Sequence, residues 1–267
     1  MNIVSTAFFR HEASGYESEN AGVARGIFFV NYLRCVVRAH WLVWGPEWQL
    51  RIHHDDRIKA FPYFKALKAM DGRGLIKLVD CGKAETLCGS MLWRMKPLWE
   101  NETDVLVCRD LDSLPMPRDF RMVHEFAMSG AIAHAVLDSE SHSGPLMGGM
   151  CAFLAPSVRV ATPFVQSYEQ LLQRVADVNL NRHGADQVVL NREFWPAVKE
   201  RALIHQKRND IAYPEAQETR RVAPKLHPLD NIVHMGAAFD VEKALDIMKG
   251  LGVPQLDLIE ASERETA

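Results

Sequence analysis

Two aspartates, Asp110 and Asp112, stand one residue apart in the run Thr103-Asp104-Val105-Leu106-Val107-Cys108-Arg109-Asp110-Leu111-Asp112-Ser113-Leu114-Pro115. Val105 to Cys108 has the unbroken apolar character of a buried strand. Such a strand delivers both carboxylates into a loop that Pro115 ends. Crowded carboxylates repel each other unless a cation accompanies them. Mg²⁺ and Mn²⁺ accept oxygen ligands of this kind and complete their shell with phosphate oxygens. The pattern therefore points to a divalent ion that grips the phosphates of a nucleotide, and it leaves the reaction open. The competing structural reading is an Asp–Ser–Pro turn whose acids accept backbone N–H bonds.

The flanking pattern says what must position these acids. Residues 3–9 read as an opening strand, and Val23, Ile27, Val30, Leu33 and Val37 recur at helical spacing. Trp41-Leu42-Val43-Trp44 is a short strand candidate closed by Gly45-Pro46, and residues 57–70 are helical with an irregularity at Pro62. A strand at 75–79 follows, then a helix marked by Leu87, Met91, Met95 and Leu98 that leads into the strand before Asp110. Further strands are expected at 132–136 and 150–154. Thr162-Pro163 reads as a helix start, with Phe164, Tyr168, Leu171 and Val175 on one face. Asp186 could cap another short helix ending near Pro196, and 202–205 reads as a strand. Asn231-Ile232-Val233-His234 and a last helix over 240–249 complete the chain. This alternation predicts an α/β fold with a mostly parallel sheet flanked by helices. Ligands of such sheets sit beyond the carboxyl ends of the strands, where Asp110 and Asp112 are expected.

Composition limits the function classes. The chain has 267 residues with 31 basic and 34 acidic side chains, so there is no global electrostatic case for nucleic-acid binding. Residues 1–12 lack the basic start and long apolar stretch of a signal peptide, and no stretch approaches the ~20 apolar residues of a membrane span. A cytoplasmic location is expected, compatible with a position peripheral to a membrane. Cys35, Cys81, Cys88, Cys108 and Cys151 show no tight pairing and read as reduced, buried thiols.

With the motif in this setting, the chain resembles a metal-dependent glycosyltransferase of the GT-A fold, in which a strand ends in an Asp-x-Asp motif. The likeness implies that Asp110-Leu111-Asp112 holds Mn²⁺ or Mg²⁺ and the diphosphate of a nucleotide-sugar. It also implies a basic residue just upstream, matched in Leu92-Trp93-Arg94-Met95-Lys96, and a Gly-rich approach to a strand beside the donor sugar, matched in Gly144-Pro145-Leu146-Met147-Gly148-Gly149. Asp186-Gln187 matches a later Asp-Gln pair that meets sugar or acceptor, and His234 is the candidate third metal ligand. The likeness spans roughly residues 1–250 but lacks the full histidine- and tryptophan-containing ending of the glycogenin-like branch, since Ala237-Ala238-Phe239 follows Gly236. It implies one GT-A-like domain over 1–259, with a nucleotide-binding half at 1–113, an acceptor half at 114–259 and a flexible tail at 260–267. The partners it implies are a nucleoside-diphosphate sugar and a glycan, lipid-linked, protein or small-molecule hydroxyl. A nucleotidyltransferase on the same metal site, or a non-catalytic nucleotide-sugar-binding protein, is the alternative.

Each supporting residue has a rival explanation. Arg94 or Lys96 could neutralise phosphate, but two positions apart on a helix they diverge, and Arg94 is the better placed. Ser5, Thr6 and Arg10 lie at or just past the first strand and could meet the nucleotide, or simply end that strand. Gly148 and Gly149 admit backbone close to a ligand, or form a plain tight turn. Asp186 could take a proton from the acceptor hydroxyl and Gln187 hold a sugar hydroxyl, or Asp186 could only cap a helix. Asp138 and His142 flank the glycine loop and read equally as solvated polarity. His53-His54-Asp55-Asp56 looks metal-like but is read as a polar surface turn, with His205 a weaker stand-in for His234.

Overall fold

The computed structural model describes residues 1–9, 22–111, 113–137, 144–182, 184–206 and 220–222. Within these, strands β1 (Asn2–Phe8), β2 (Trp48–His54), β3 (Lys77–Asp80), β4 (Val105–Arg109), β5 (Ala133–Leu137), β6 (Met150–Leu154), β7 (Ala202–Gln206) and β8 (Arg220–Val222) form one sheet in the order β3-β2-β1-β4-β6-β5-β7-β8. Every pairing is parallel except those of β6, which runs antiparallel to both β4 and β5. The expected mostly parallel sheet is present.

Alternation along the strands sends side chains to two cores. Ile3, Leu106, Cys108, Ala133, Ala135 and Phe153 face one layer, covered by α3 (Leu87–Leu92), α5 (Ala155–Ala161), α6 (Tyr168–Arg174), α7 (Ala185–Glu193) and α8 (Trp195–Val198). Val4, Leu50, Ile52, Val105 and Val107 face the other, covered by α1 (Gly22–Trp44), α2 (Pro62–Gly72) and α4 (Pro117–Met128).

Three local expectations are corrected. Residues 41–44 are the last turn of α1, not a strand; Gly45 takes φ +78° and donates its N–H to the Trp41 carbonyl, as a glycine ending a helix does. The strand lies just beyond, where Trp48, Leu50 and Ile52 alternate inward. Thr162 ends α5 instead of starting a helix, and the next helix is capped by Ser167, whose Oγ accepts from the Gln170 N–H. His53-His54-Asp55 is no surface turn: all three are buried at the carboxyl end of β2, where Asp55 caps a 3-10 turn through Ile58. An interior strand flanked by β1 and β3 leaves no solvent for them; Nδ1 of each histidine finds a local partner, while His53 Nε2 is buried without one among the described residues. The strand expected at 231–234 and the helix at 240–249 lie outside the described residues, as does the 260–267 tail.

Among the described residues, no helix is long and apolar enough to cross a membrane. Four cysteines are buried, Cys81 is partly exposed, and all five are free thiols.

Burial holds three core histidines neutral: His40 is pushed down to about 4 and His53 to about 3, while His134 is lowered by burial and by nearby His205 and Arg109. Their folded pKa values lie below the ordinary 6.5, so the unfolded chain binds more protons as pH falls. Stability is therefore expected to drop on acidification below 6.5, and to go on dropping until the buried histidines themselves take up protons, at about 4 for His40 and about 3 for His53. Urea midpoints measured at neutral and mildly acidic pH check this; an unchanged midpoint would contradict it.

Candidate active site

The site grows from the exit of β4. On one side of β1 the parallel order continues through β2 and β3, and on the other it continues with β4, so the sheet switches direction there. A crevice for ligands opens at the carboxyl ends of strands at such a point. Asp110 is the first residue past β4. Because β6 is antiparallel, its start faces the end of β4, with Arg109 opposite Met150. That brings Gly149 against Asp110, and Gly148 next to it against Asp186, although some forty positions separate the glycines from Asp110 in the chain.

Arg94 arrives from beneath. Residues Trp93–Trp99 form a 3-10 stretch with Pro97 inside it, tighter than the helix expected there. Pro97 has no N–H to continue an α-helix, and three-residue spacing buries Leu92, Met95 and Leu98 in the core. Arg94 is thereby turned under the sheet edge. Its Nε donates to the Met91 carbonyl at 2.7 Å, Nη1 donates to Asp110 Oδ1, and Nη2 lies 3.5 Å from Asp186 Oδ2. The guanidinium is 5 % exposed, between Asp110 at 40 % and Asp186 at 2 %. Burial works against its charge, but Asp110 and Asp186 together raise its pKa above the ordinary arginine value. Lys96 points elsewhere and sits 4.9 Å over the Tyr168 ring.

Asp186 lies in the first turn of α7 and is not its cap; Gly184, at φ +75°, holds that position. Burial raises the Asp186 pKa, and the Arg94 charge opposes the rise. Its Oδ1 is buried without a hydrogen-bond partner among the described residues. Gln187 beside it is half-buried, and its backbone carbonyl accepts from Asn191 Nδ2.

The two glycines make room for protein carboxylates. A Cβ on Gly148 would lie 2.0 Å from Asp186 Oδ2, and one on Gly149 would lie 2.0 Å from Asp110 Oδ2. Neither glycine has a positive φ, so space alone requires them. Sequence reasoning missed Asn191, which holds this turn in place: its Oδ1 accepts from the Leu146 N–H at 3.0 Å and its Nδ2 donates to the Leu146 carbonyl at 2.8 Å. The available signal was helical spacing, since Asn191 follows Gln187 by one turn.

The remaining candidates fall in different places. Ser5 is fully buried in mid-strand, 3.2 Å from His53 Nδ1, so its hydroxyl helps tie β1 to β2. His205 is buried in β7, paired with His134 and Glu125. Arg10, Asp112, Asp138, His142 and His234 lie outside the described residues. Of the metal ligands expected, Asp110 is thus the one described, and no group of three or more His, Cys, Asp or Glu that could hold a metal occurs among the described residues. Asp110 itself suits a hard cation: a partly exposed carboxylate at the crevice, with Oδ2 backed by Gly149.

No protein-family model and no curated protein matches the chain. Among solved structures, an active-site Gln-to-Glu mutant of LgtC aligns over 94 % of this chain and 96 % of its own, at 13 % identity and TM-score 0.51. The chain has the GT-A fold. The Streptococcus pneumoniae glycosyltransferase GlyE aligns over 77 % of the chain at 14 % identity and TM-score 0.45, and S. aureus TarS in complex with UDP-GlcNAc over 93 % at 10 % identity and TM-score 0.45. The alignment spans 45 % of the GlyE chain and 65 % of the TarS chain. At these identities the GT-A likeness is one of fold.

Proposed function

We propose that this chain is a metal-dependent glycosyltransferase that moves a sugar from a nucleoside-diphosphate donor to a hydroxyl acceptor. The observation that carries the reading is the convergence of Arg94, Asp110, Asp186, Gly148 and Gly149 at the switch point of a GT-A sheet. Asp110, with Asp112 and His234, would hold Mn²⁺ or Mg²⁺, which when bound neutralises charge on the departing diphosphate. Arg94 supplies a buried, permanently charged fork for a phosphate oxygen. Asp186 keeps that fork oriented and offers Oδ1 to a hydroxyl of the sugar or acceptor, with Gln187 as a neutral neighbour able to donate and accept. Electrostatic stabilisation of the leaving group is the main source of rate in this scheme.

A thermal-shift screen of UDP-, GDP-, dTDP- and CMP-linked sugars with Mn²⁺ identifies the donor, and product analysis then tests the reaction. Release of free nucleoside diphosphate, or of CMP from a CMP-sugar, is expected; pyrophosphate would instead identify nucleotidyl transfer. Tight metal-dependent binding without turnover on any acceptor would identify a binding protein. Asp112→Asn is expected to weaken Mn²⁺-dependent nucleoside-diphosphate binding by ~10-fold or more, with the fold intact. Calorimetry with and without Mn²⁺ checks this, and equal metal-dependent affinity in the variant would count against the assignment.

A further inference from the structure

Arg94 occupies the position of a cation. Its three nitrogens are directed to the Met91 carbonyl, Asp110 Oδ1 and Asp186 Oδ2, so one buried charge faces two carboxylates. Of those carboxylates only Asp110 meets solvent appreciably, and Gly149 closes in behind its Oδ2. The geometry points to Arg94 as an internal counter-ion that competes with the divalent metal for Asp110 and yields it when a diphosphate arrives. This rests on the glycosyltransferase reading of the site.

The physical argument is one of charge. Before a diphosphate binds, a dication at Asp110 would compete for the carboxylate that the Arg94 guanidinium already holds at hydrogen-bond distance. Like charges at that distance repel strongly, the more so at a partly buried position. A diphosphate removes the conflict because its oxygens bind both cations, and guanidinium forks to phosphate as well as to carboxylate. Asp186 keeps hold of Arg94 throughout, since it is buried and its helix is clamped to the turn before β6 by Asn191. Metal alone should therefore bind poorly. Metal and diphosphate should bind with positive coupling, which linkage requires to be reciprocal.

The test uses the full chain. Mn²⁺ is titrated alone, followed by the electron paramagnetic resonance signal of the free ion, and then with saturating UDP, GDP, dTDP or CDP, whichever gives the largest thermal shift. The wild-type chain is expected to hold Mn²⁺ ~10-fold or more tightly with diphosphate than without it. Arg94→Met should bind Mn²⁺ alone ~10-fold more tightly than wild type, with the coupling reduced toward unity. Arg94→Lys keeps the charge and should stay near wild type for Mn²⁺ alone. Circular dichroism verifies folding, and Arg94→Gln replaces the methionine variant if that one does not fold. A folded neutral variant that binds Mn²⁺ alone no more tightly than wild type overturns the competition. If Asp110→Asn still abolishes binding of the metal–diphosphate pair, that failure leaves the site reading standing. If the wild-type chain binds no metal with any diphosphate, or Asp110→Asn binds the pair as well as wild type, both fall together.

Discussion

Asp110→Asn is expected to lower kcat/KM for sugar transfer by about 10³-fold while leaving the melting temperature within a few degrees of wild type. The asparagine amide has the same shape but no charge, so it is a poor ligand for a hard cation and a weaker anchor for Arg94. The side chain is 40 % exposed, which keeps the desolvation cost of the change small. Arg94 retains Asp186 and the Met91 carbonyl, so the buried guanidinium is not orphaned. Steady-state kinetics with the donor found by the screen, beside a thermal melt, checks both halves. A variant that keeps most of its activity would remove Asp110 from the chemistry. One that unfolds would make it a structural residue.

Alanine at the two adjacent glycines should separate stability from activity. At Gly149 the new methyl group would lie 2.0 Å from Asp110 Oδ2 and 2.4 Å from its Cγ. Asp110 is partly exposed and can swing outward, so Gly149→Ala should fold normally yet lose activity by about 10²-fold, because the carboxylate is displaced from the crevice. At Gly148 the clash is with Asp186, 2.0 Å from Oδ2, and that side chain is 2 % exposed with nowhere to go. Gly148→Ala should therefore cost about 1–3 kcal/mol of stability, as overpacking of a tight interior does, and lose activity as well because Arg94 shifts with Asp186. Urea unfolding with m unchanged, together with kinetics, measures each. Equal destabilisation by both substitutions would contradict the steric account.

Parts of this arrangement are legible along the chain. The apolar run 105–108 announces β4 because a strand buried on both faces has to be apolar throughout, and the helix–strand alternation announces a parallel sheet. The same local logic fails at helix ends. Residues 41–44 are apolar enough for either element, and what decides is the packing of Trp44 on Trp48, 4.9 Å between ring centroids, together with Gly45 at φ +78°. Thr162 and Asp186 have capping side chains, but the chain caps those helices at Ser167 and Gly184.

What this sequence determined unaided is the placement of Asp110 just past a buried strand, because strand character and loop breakers are local properties of a few consecutive residues. It marked Arg94, Asp110, Asp186, Gly148 and Gly149 as separate candidates without saying that they touch. Only the tertiary structure decided that, through the antiparallel register of β6 with β4 and the 3-10 path that turns Arg94 inward. It also showed that both glycines leave space for two carboxylates, and placed Ser5 inside the sheet beside His53. Strand order and register depend on contacts between residues far apart in the chain, which no local pattern encodes.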